Sequence, residues 1–161
     1  VQLQDKRKRD KWVSGNALEG PLPDVSALGK LKVGWLGGNR LNGSIASAGI
    51  GALEHLSDLV LSNNLLTGPI PEDIGALKLL TRLNVADNLL TGGIPASLTA
   101  LTNLVSLGLQ RNRLTGSPPG NLTSLRKMQA LDLTGNDLNL SLPLPSPVGS
   151  VCAQGDVYTP C

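Results

Sequence analysis

The chain has 161 residues, about the length of one domain. Leucine supplies 33 of them while phenylalanine is absent, so we expect a core of many aliphatic layers rather than one built around large rings. The net charge is +2, and residues 5–11 alone carry +3, which argues against nucleic-acid binding because such proteins spread basic charge over a face. One histidine and two cysteines supply too few ligands for most zinc sites, and we expect no metal or cofactor.

A charged segment opens the chain at residues 1–15, and we expect it to include the first strand. Its basic run, Lys6 to Lys11, is interrupted by Asp10 and preceded by Asp5. Such a run can be a nuclear signal or a polyanion-binding patch. We favour a simpler role, because charges on an edge strand prevent pairing with other chains.

A repeated pattern of leucines and one asparagine follows over residues 16–143. The pattern Leu-x-x-Leu-x-x-Leu-x-Leu-x-x-Asn-x-Leu matches at residues 53–66, 77–90, 101–114 and 125–138, with Val85 and Met128 as apolar replacements. A fifth copy at residues 28–41, with Gly34 where leucine is expected, and a degenerate first copy around Asn16 precede these four. The repeated asparagines are Asn16, Asn39, Asn64, Asn88, Asn112 and Asn136, and the last four are 24 residues apart. The step from Asn39 to Asn64 is 25, which places one extra residue in the stretch 46–49.

The spacing of each copy predicts its local structure. A Leu-x-Leu pair points both leucines to one side of a short strand, and stacked copies would form a parallel sheet over a continuous leucine core. The asparagine lies where the chain leaves the strand, so its amide can satisfy backbone groups of the turn. We therefore expect the six asparagines to form a ladder along the solenoid. Fixed-period repeats of this kind indicate a solenoid fold.

The segments after the asparagines indicate a family. LTGPIP at 66–71, LTGGIP at 90–95 and LNGSI at 41–45 resemble the plant-type leucine-rich repeat of plant receptor kinases, receptor-like proteins and polygalacturonase inhibitors. The resemblance covers roughly residues 12–143. It implies an α/β solenoid, a right-handed superhelix with short parallel strands on its concave face and 3-10 or short helical turns on its convex face.

The last segment, residues 144–161, resembles the cysteine-containing cap that closes secreted leucine-rich-repeat proteins. Cys152 and Cys161 can be free thiols or a disulfide, and we favour the disulfide. The cysteine-bearing amino-terminal cap of the plant type is missing, so either the chain has lost it or the charged first strand replaces it. No signal peptide is found, and we expect a processed or trimmed piece. Any membrane-spanning or kinase segment would then lie outside this sequence.

Three Asn-x-Ser/Thr triplets, at Asn42, Asn121 and Asn139, are candidate glycosylation sites outside the predicted strands. With the cysteines, they favour a secreted protein or the extracellular side of the plasma membrane, with an organelle lumen as the alternative.

The concave face carries the candidate binding residues. The positions six, four and two residues before each asparagine should point outward, because those between them point into the core. Both tryptophans fall in the central column, on neighbouring strands, and exposed aromatic residues are typical binding anchors. They can equally shield the first repeats, where Gly34 replaces a core leucine. The predicted ligand-binding residues are Trp12, Trp35, Asp58, Arg82 and Asn84.

We expect a non-enzymatic recognition module whose ligand is a peptide, a protein or a cell-wall polysaccharide, with a co-receptor or a larger assembly as a further partner. A permanently docked structural subunit and an enzyme inhibitor are the alternatives. His55 has no second histidine or cysteine near it in sequence, so we expect it to be a surface residue without catalytic function.

Overall fold

Each copy of the repeat contributes one three-residue strand to a parallel sheet. The computed structural model describes residues 10–12, 14–120, 122, 125–139, 151–154 and 157–160, and for the strands at 10–12, 151–154 and 157–160 only the backbone is considered. We number the described strands β1 to β14 in chain order. The strands of this first sheet, the concave sheet, are β1 Asp10–Trp12, β3 Val33–Trp35, β5 Asp58–Val60, β7 Arg82–Asn84, β9 Ser106–Gly108 and β11 Ala130–Asp132.

Two antiparallel strands extend the concave sheet at its carboxyl end. β13 (Val151–Gln154) pairs with β14 (Val157–Pro160), and β14 pairs with β11. The leucine pattern stops before this segment, so a hairpin takes the place of the next repeat at the end of the sheet. Cys152 lies in β13, whereas Cys161 lies outside the described residues, and their pairing stays a prediction.

A second parallel sheet, which the sequence did not lead us to expect, is formed by the segments after the asparagines. In Leu65-Leu66-Thr67 the middle residue is buried and its neighbours are exposed, which is the alternation of a strand. The glycine that follows, Gly68, has φ of 75° and ends the strand. The strands of this sheet are β2 Glu19–Pro21, β4 Arg40–Ser44, β6 Leu65–Gly68, β8 Leu89–Gly92, β10 Arg113–Gly116 and β12 Asp137–Leu138.

The return segments are short 3-10 helices, as predicted. They are Ser26–Leu28, Ile45–Ala48, Ile50–Ala52, Glu72–Ala76 and Ala96–Ala100. The copy with the extra residue has two such helices, separated by Gly49 in the left-handed region at φ 64°. No helix in the described ranges is both long and apolar enough to cross a membrane.

The core is a stack of aliphatic layers between the two sheets and the 3-10 helices. The inward leucines of the concave sheet, Leu59, Leu83 and Leu107, are each at most 4% exposed. Gly34 occupies the same position in β3 and is buried, with a small apolar cavity beside it lined by leucines such as Leu31 and Leu59. Gly34 therefore leaves a small void in the core of the first repeats.

The asparagines link neighbouring repeats. Asn39, Asn64, Asn88 and Asn112 are buried, and Asn136 is half-buried. From the second repeat onward the side-chain oxygen accepts a backbone N–H of the preceding copy, for example Leu41 N to Asn64 Oδ1 at 3.0 Å. The first asparagine differs, because Asn16 is exposed and donates to Ser14 O within its own turn. Its position at the end of the stack explains the exposure.

Candidate ligand-binding surface on the concave sheet

The outward positions of the concave sheet form straight columns. Strand register aligns residues four positions before each asparagine, so Trp35 lies beside Val60, Val60 beside Asn84, Asn84 beside Gly108 and Gly108 beside Asp132. This series is the central column. All five residues are half-buried, whereas the inward-pointing residue that follows each of them in the chain is buried. The predicted alternation of outward and inward side chains is therefore confirmed at these positions.

An open groove of about 590 Å³ runs across the concave sheet. Trp35 lies at one end and Asp132 at the other, and the sheet between them spans five strands. Its lining includes Gly108, which has no side chain of its own and is crowded by the amide oxygens of Asn84 and Gln110. Residues that line the groove include Trp35, Arg82, Asn84, Gly108, Gln110 and Asp132.

Two hydrogen-bonded turns fix polar side chains of the central column. Asn84 Oδ1 accepts the backbone N–H of Ala86 at 3.1 Å. Asp132 Oδ1 accepts the backbone N–H of Thr134 at 3.0 Å and its hydroxyl at 2.7 Å. Each side chain is thus held by the residue two positions later, and its direction is set before any ligand arrives.

Charged side chains beside the groove are paired across strands. Arg82 Nη1 lies 3.8 Å from Asp58 Oδ1 on the preceding strand. Arg111 forms a two-pronged ion pair with Asp87, with Nη2 to Oδ2 at 3.0 Å. The hydrogen bond and charge of Asp87, with a smaller contribution from the charge of Asp132, raise the pKa of the Arg111 guanidinium. Both cations therefore already have a carboxylate partner.

The predicted binding residues are only partly brought together. Trp35, Arg82 and Asn84 line the groove, whereas Asp58 lies outside its lining and contacts it through Arg82. β1 pairs with β3 so that Trp12 is in register with Trp35, but the Trp12 side chain is outside the described part of the structure. The groove lies further toward the carboxyl end than the predicted patch and also includes residues of β9 and β11.

The missed residues are Gly108, Gln110 and Asp132. A glycine is easily taken for an empty position, yet Gly108 lines the groove between Asn84 and Asp132. The signal was present in the sequence, since Gly108 interrupts the central column between two polar residues. The role of Gly108 depends on Asn84 and Asp132, each 24 residues away in the chain, and only the stacked structure places them beside it.

The other candidate residues lie away from the groove. Asn42 and Asn139 are exposed, in β4 and immediately after β12, and Asn121 lies outside the described residues. His55 is exposed, and its Nδ1 lies 2.9 Å from Gly29 O on a return segment. Among the described residues, no group of three or more His, Cys, Asp or Glu could hold a metal ion.

Comparison with known proteins identifies the repeat. Leucine-rich-repeat family models match residues 55–77 and 79–138, together just over half of the chain. Receptor-like protein 31 of Arabidopsis thaliana is 37% identical over 65 residues, which are 38% of this chain and 8% of that protein. The chain thus spans a small part of the length of this relative.

Solved structures match over most of the chain. The BIR2 ectodomain from Arabidopsis thaliana is 33% identical, with a TM-score of 0.74 over 84% of this chain and 71% of that one. The Arabidopsis receptor kinase HAESA, solved with the peptide hormone IDA and the co-receptor SERK1, is 31% identical, with a TM-score of 0.79 over 86% of this chain and 25% of that one. The chain therefore belongs to the leucine-rich-repeat family, in the plant type found in receptor ectodomains.

Proposed function

We propose that this chain is a non-catalytic recognition module that binds a peptide or protein ligand in the groove of its concave sheet. The observation that carries the proposal is the groove itself, which combines an aromatic end at Trp35 with fixed polar groups at Asn84 and Asp132. Binding surfaces of proteins commonly join aromatic anchors to a few well-placed polar groups. The sheet beneath them is rigid before binding, so the entropy cost of ordering the binding site is small.

The similar proteins support a peptide as ligand. HAESA was solved with a peptide hormone and a co-receptor, and RGFR1, named as a plant peptide hormone receptor, was solved with RGF2. This chain corresponds to about a quarter or less of each of those receptors. We infer the same class of ligand here, with a co-receptor as a further partner.

We place the module on the extracellular side of the plasma membrane or in a secreted protein. Asn42 is exposed in β4 of the second sheet and Asn139 is exposed immediately after β12, and a glycan at either position would leave the groove free. The proposed disulfide of Cys152 with Cys161 would persist in the same oxidising setting.

Two exposed alanines offer a matched test. Ala130 lines the groove, and Ala96 begins a 3-10 helix on the return side of the solenoid. Ala130→Arg introduces a long charged side chain into the groove, and Ala96→Arg introduces the same side chain elsewhere. Peptides selected from a random displayed library on the unmodified chain should bind Ala130→Arg at least tenfold more weakly and Ala96→Arg equally well.

The opposite outcome is equally clear. If the selected peptides bind both variants equally, or if the library yields no binder, the groove is not a peptide site. A stable stoichiometric complex recovered from the native source without added ligand would instead favour the structural-subunit or inhibitor alternatives.

A further inference from the structure

The turns that lead into the strands of the concave sheet form one edge of the solenoid. Each turn has a buried apolar residue eight positions before the repeat asparagine, such as Leu31 or Leu80, while the residues on either side of it are exposed or half-buried. Backbone hydrogen bonds stack the turns, as in Ser57 N to Lys32 O and Thr81 N to Ser57 O, both 2.8 Å. The positions ten, nine and seven residues before each asparagine therefore recur along one line.

Lysine and arginine side chains concentrate on this line. Its exposed cations, which we call the basic edge, are Lys30, Lys32, Lys78, Arg126 and Lys127. Side chains connect the turns that carry them, since Asn103 Nδ2 donates to Lys78 O at 2.9 Å and Lys127 Nζ donates to Asn103 Oδ1 at 2.7 Å. The basic edge follows five strands, β3 to β11, or about 19 Å at the usual strand spacing of about 4.8 Å.

The charges of the basic edge are not compensated within the described residues. Glu54 is the one carboxylate at these positions of the described repeats. Elsewhere the chain pairs cations across successive repeats, as in Arg40 with Glu19 at 2.9 Å, but no cation of the basic edge has a described carboxylate oxygen within 4 Å. Lys78 Nζ donates to the carbonyl oxygen of Gly75 at 2.5 Å, which satisfies a donor and leaves the charge. Since like charges in a row repel each other, an anionic partner would stabilise them.

The basic run near the start of the chain falls at the same positions of the repeat. Counted from Asn16, Lys6 to Arg9 occupy the positions ten to seven residues before the asparagine. Of the 14 lysines and arginines in the sequence, nine fall in this short interval of the repeat. Protection of an edge strand requires no such agreement between the first copy and later ones. The agreement therefore favours the other role considered for the run, binding of a polyanion.

We propose that the basic edge binds a linear acidic polysaccharide, in which carboxylate or sulfate groups recur along an extended chain. A row of cations on a rigid sheet edge attracts such a chain, and binding releases the counterions that the chain carries. Lysine suits this contact because its ammonium is a compact charge on a flexible stem, which adapts to the spacing of the sugar acids. The surface is separate from the concave groove, and the extracellular placement proposed above is a setting in which acidic polysaccharides occur.

Other polyanions fit the basic edge less well. Single-stranded nucleic acids stack their bases on aromatic side chains, and the described positions of this line contain none. Membrane surfaces hold a protein through several apolar side chains in addition to basic ones. Among the described positions of the line, Leu79 at 51% is the single large hydrophobic residue that is exposed. A polysaccharide requires neither aromatic rings nor an apolar face.

The test measures binding to the full chain at low and at physiological salt. The labelled probes are polygalacturonate, dextran sulfate and single-stranded DNA, together with vesicles that contain phosphatidylserine. Methyl-esterified polygalacturonate is the control, because it keeps the sugar chain and removes its charge. At least one acidic polysaccharide should bind tenfold or more tightly than the ester at low salt, with an affinity that falls as salt rises. The stronger of the two identifies the acidic group as carboxylate or sulfate.

Double variants locate the binding site. Lys30→Gln with Lys32→Gln removes two charges from one end of the basic edge, and Arg126→Gln with Lys127→Gln removes two from the other end. Each pair should weaken binding of the acidic polysaccharide at least fivefold and should make binding less dependent on salt. All four side chains are exposed, so the fold should be kept, and denaturant unfolding verifies it.

The matched control is Arg40→Gln with Arg113→Gln, which removes two exposed cations from the second sheet. This variant has the same net charge as the two edge variants, so a ligand that responds only to net charge would be weakened equally by all three. Binding by the control should stay within twofold of the unmodified chain.

Three outcomes would overturn the basic edge as a polysaccharide site. They are equal binding of the methyl ester, an equal loss in the control variant, and tighter binding of DNA or vesicles than of either acidic polysaccharide. Peptides selected on the unmodified chain should bind both edge variants at full affinity. Failure of the basic edge and failure of the concave groove are therefore measured with different ligands.

Discussion

Asn88 accepts a hydrogen bond from the backbone amide of Leu66, 22 residues earlier, with 3.0 Å between Leu66 N and Asn88 Oδ1. The amide nitrogen of the same side chain donates to the carbonyl oxygens of Leu61, Val85 and Ala86, at 3.0 to 3.1 Å. One side chain thus satisfies backbone groups of two successive repeats. It does so at 6% exposure, where water cannot readily replace it.

Replacing Asn88 by alanine should therefore destabilise the chain by about 1–3 kcal/mol, because the buried amide of Leu66 loses its acceptor. Asn16→Ala is the control. Because Asn16 is exposed, this substitution should lower the free energy of unfolding by less than Asn88→Ala does. Urea unfolding at equilibrium measures both. Wild-type stability for Asn88→Ala would show that the ladder does not hold the turns.

Two glycines should respond oppositely to alanine. A Cβ on Gly75 would lie 2.7 Å from Ser97 Cβ and from Ser97 O on the next 3-10 helix, so Gly75→Ala should destabilise by about 1–3 kcal/mol. A Cβ on Gly34 meets Leu59 Cδ1 at 3.6 Å, an ordinary contact, and Gly34→Ala should stabilise by about 0.4–1 kcal/mol. Melting temperatures of both variants should move in opposite directions. A common direction would contradict this account of the packing.

The tryptophan pair separates ligand binding from shielding. If Trp12 and Trp35 serve the ligand, the double variant Trp12→Ser with Trp35→Ser should lose affinity for the selected peptides while its melting temperature is nearly kept. Shielding of the thin first repeats predicts a fall of several degrees. Calorimetry and peptide binding on the same preparation decide between them, and unchanged affinity in the folded variant would remove the tryptophans from the site.

Cys152 and Cys161 should be joined in protein taken from its native compartment. A loop of this size would stabilise the folded chain by roughly 2–3 kcal/mol in the chain-entropy model. Mass spectrometry of unreduced peptides should recover the two cysteines linked. Two free thiols would weaken both the cap and the extracellular assignment.

The pKa of Asp24 is lowered by hydrogen bonds from the backbone N–H and hydroxyl of Ser26, which favour the ionised carboxylate. A lowered folded pKa means that the stabilisation is present above the ordinary value, about 3.9, and is lost as pH falls through the folded value. The stability difference between the unmodified chain and Asp24→Ala should accordingly shrink below about pH 4. A difference independent of pH between 2 and 6 would show that the ionised form has no role.

The period of the repeat by itself determined that the chain folds as a solenoid and which side chains of each concave strand point into the core. Leu59, Leu83 and Leu107 are buried. Side chains alternate along a strand, so both leucines of a Leu-x-Leu pair lie on the same face, and burying that face removes both from water. The second sheet was missed because each Leu-Thr-Gly segment is too short to be recognised as a strand until its neighbour lies beside it.

The groove was decided by the tertiary structure alone. Gly108 is only a missing side chain in the sequence, and it becomes part of the groove lining because stacking places Asn84 and Asp132 on either side of it. Sequence periodicity determines which residues share a column. The depth and charge of that column depend on side chains from three repeats and on which hydrogen bonds they have already made, and these are settled only when the repeats pack together.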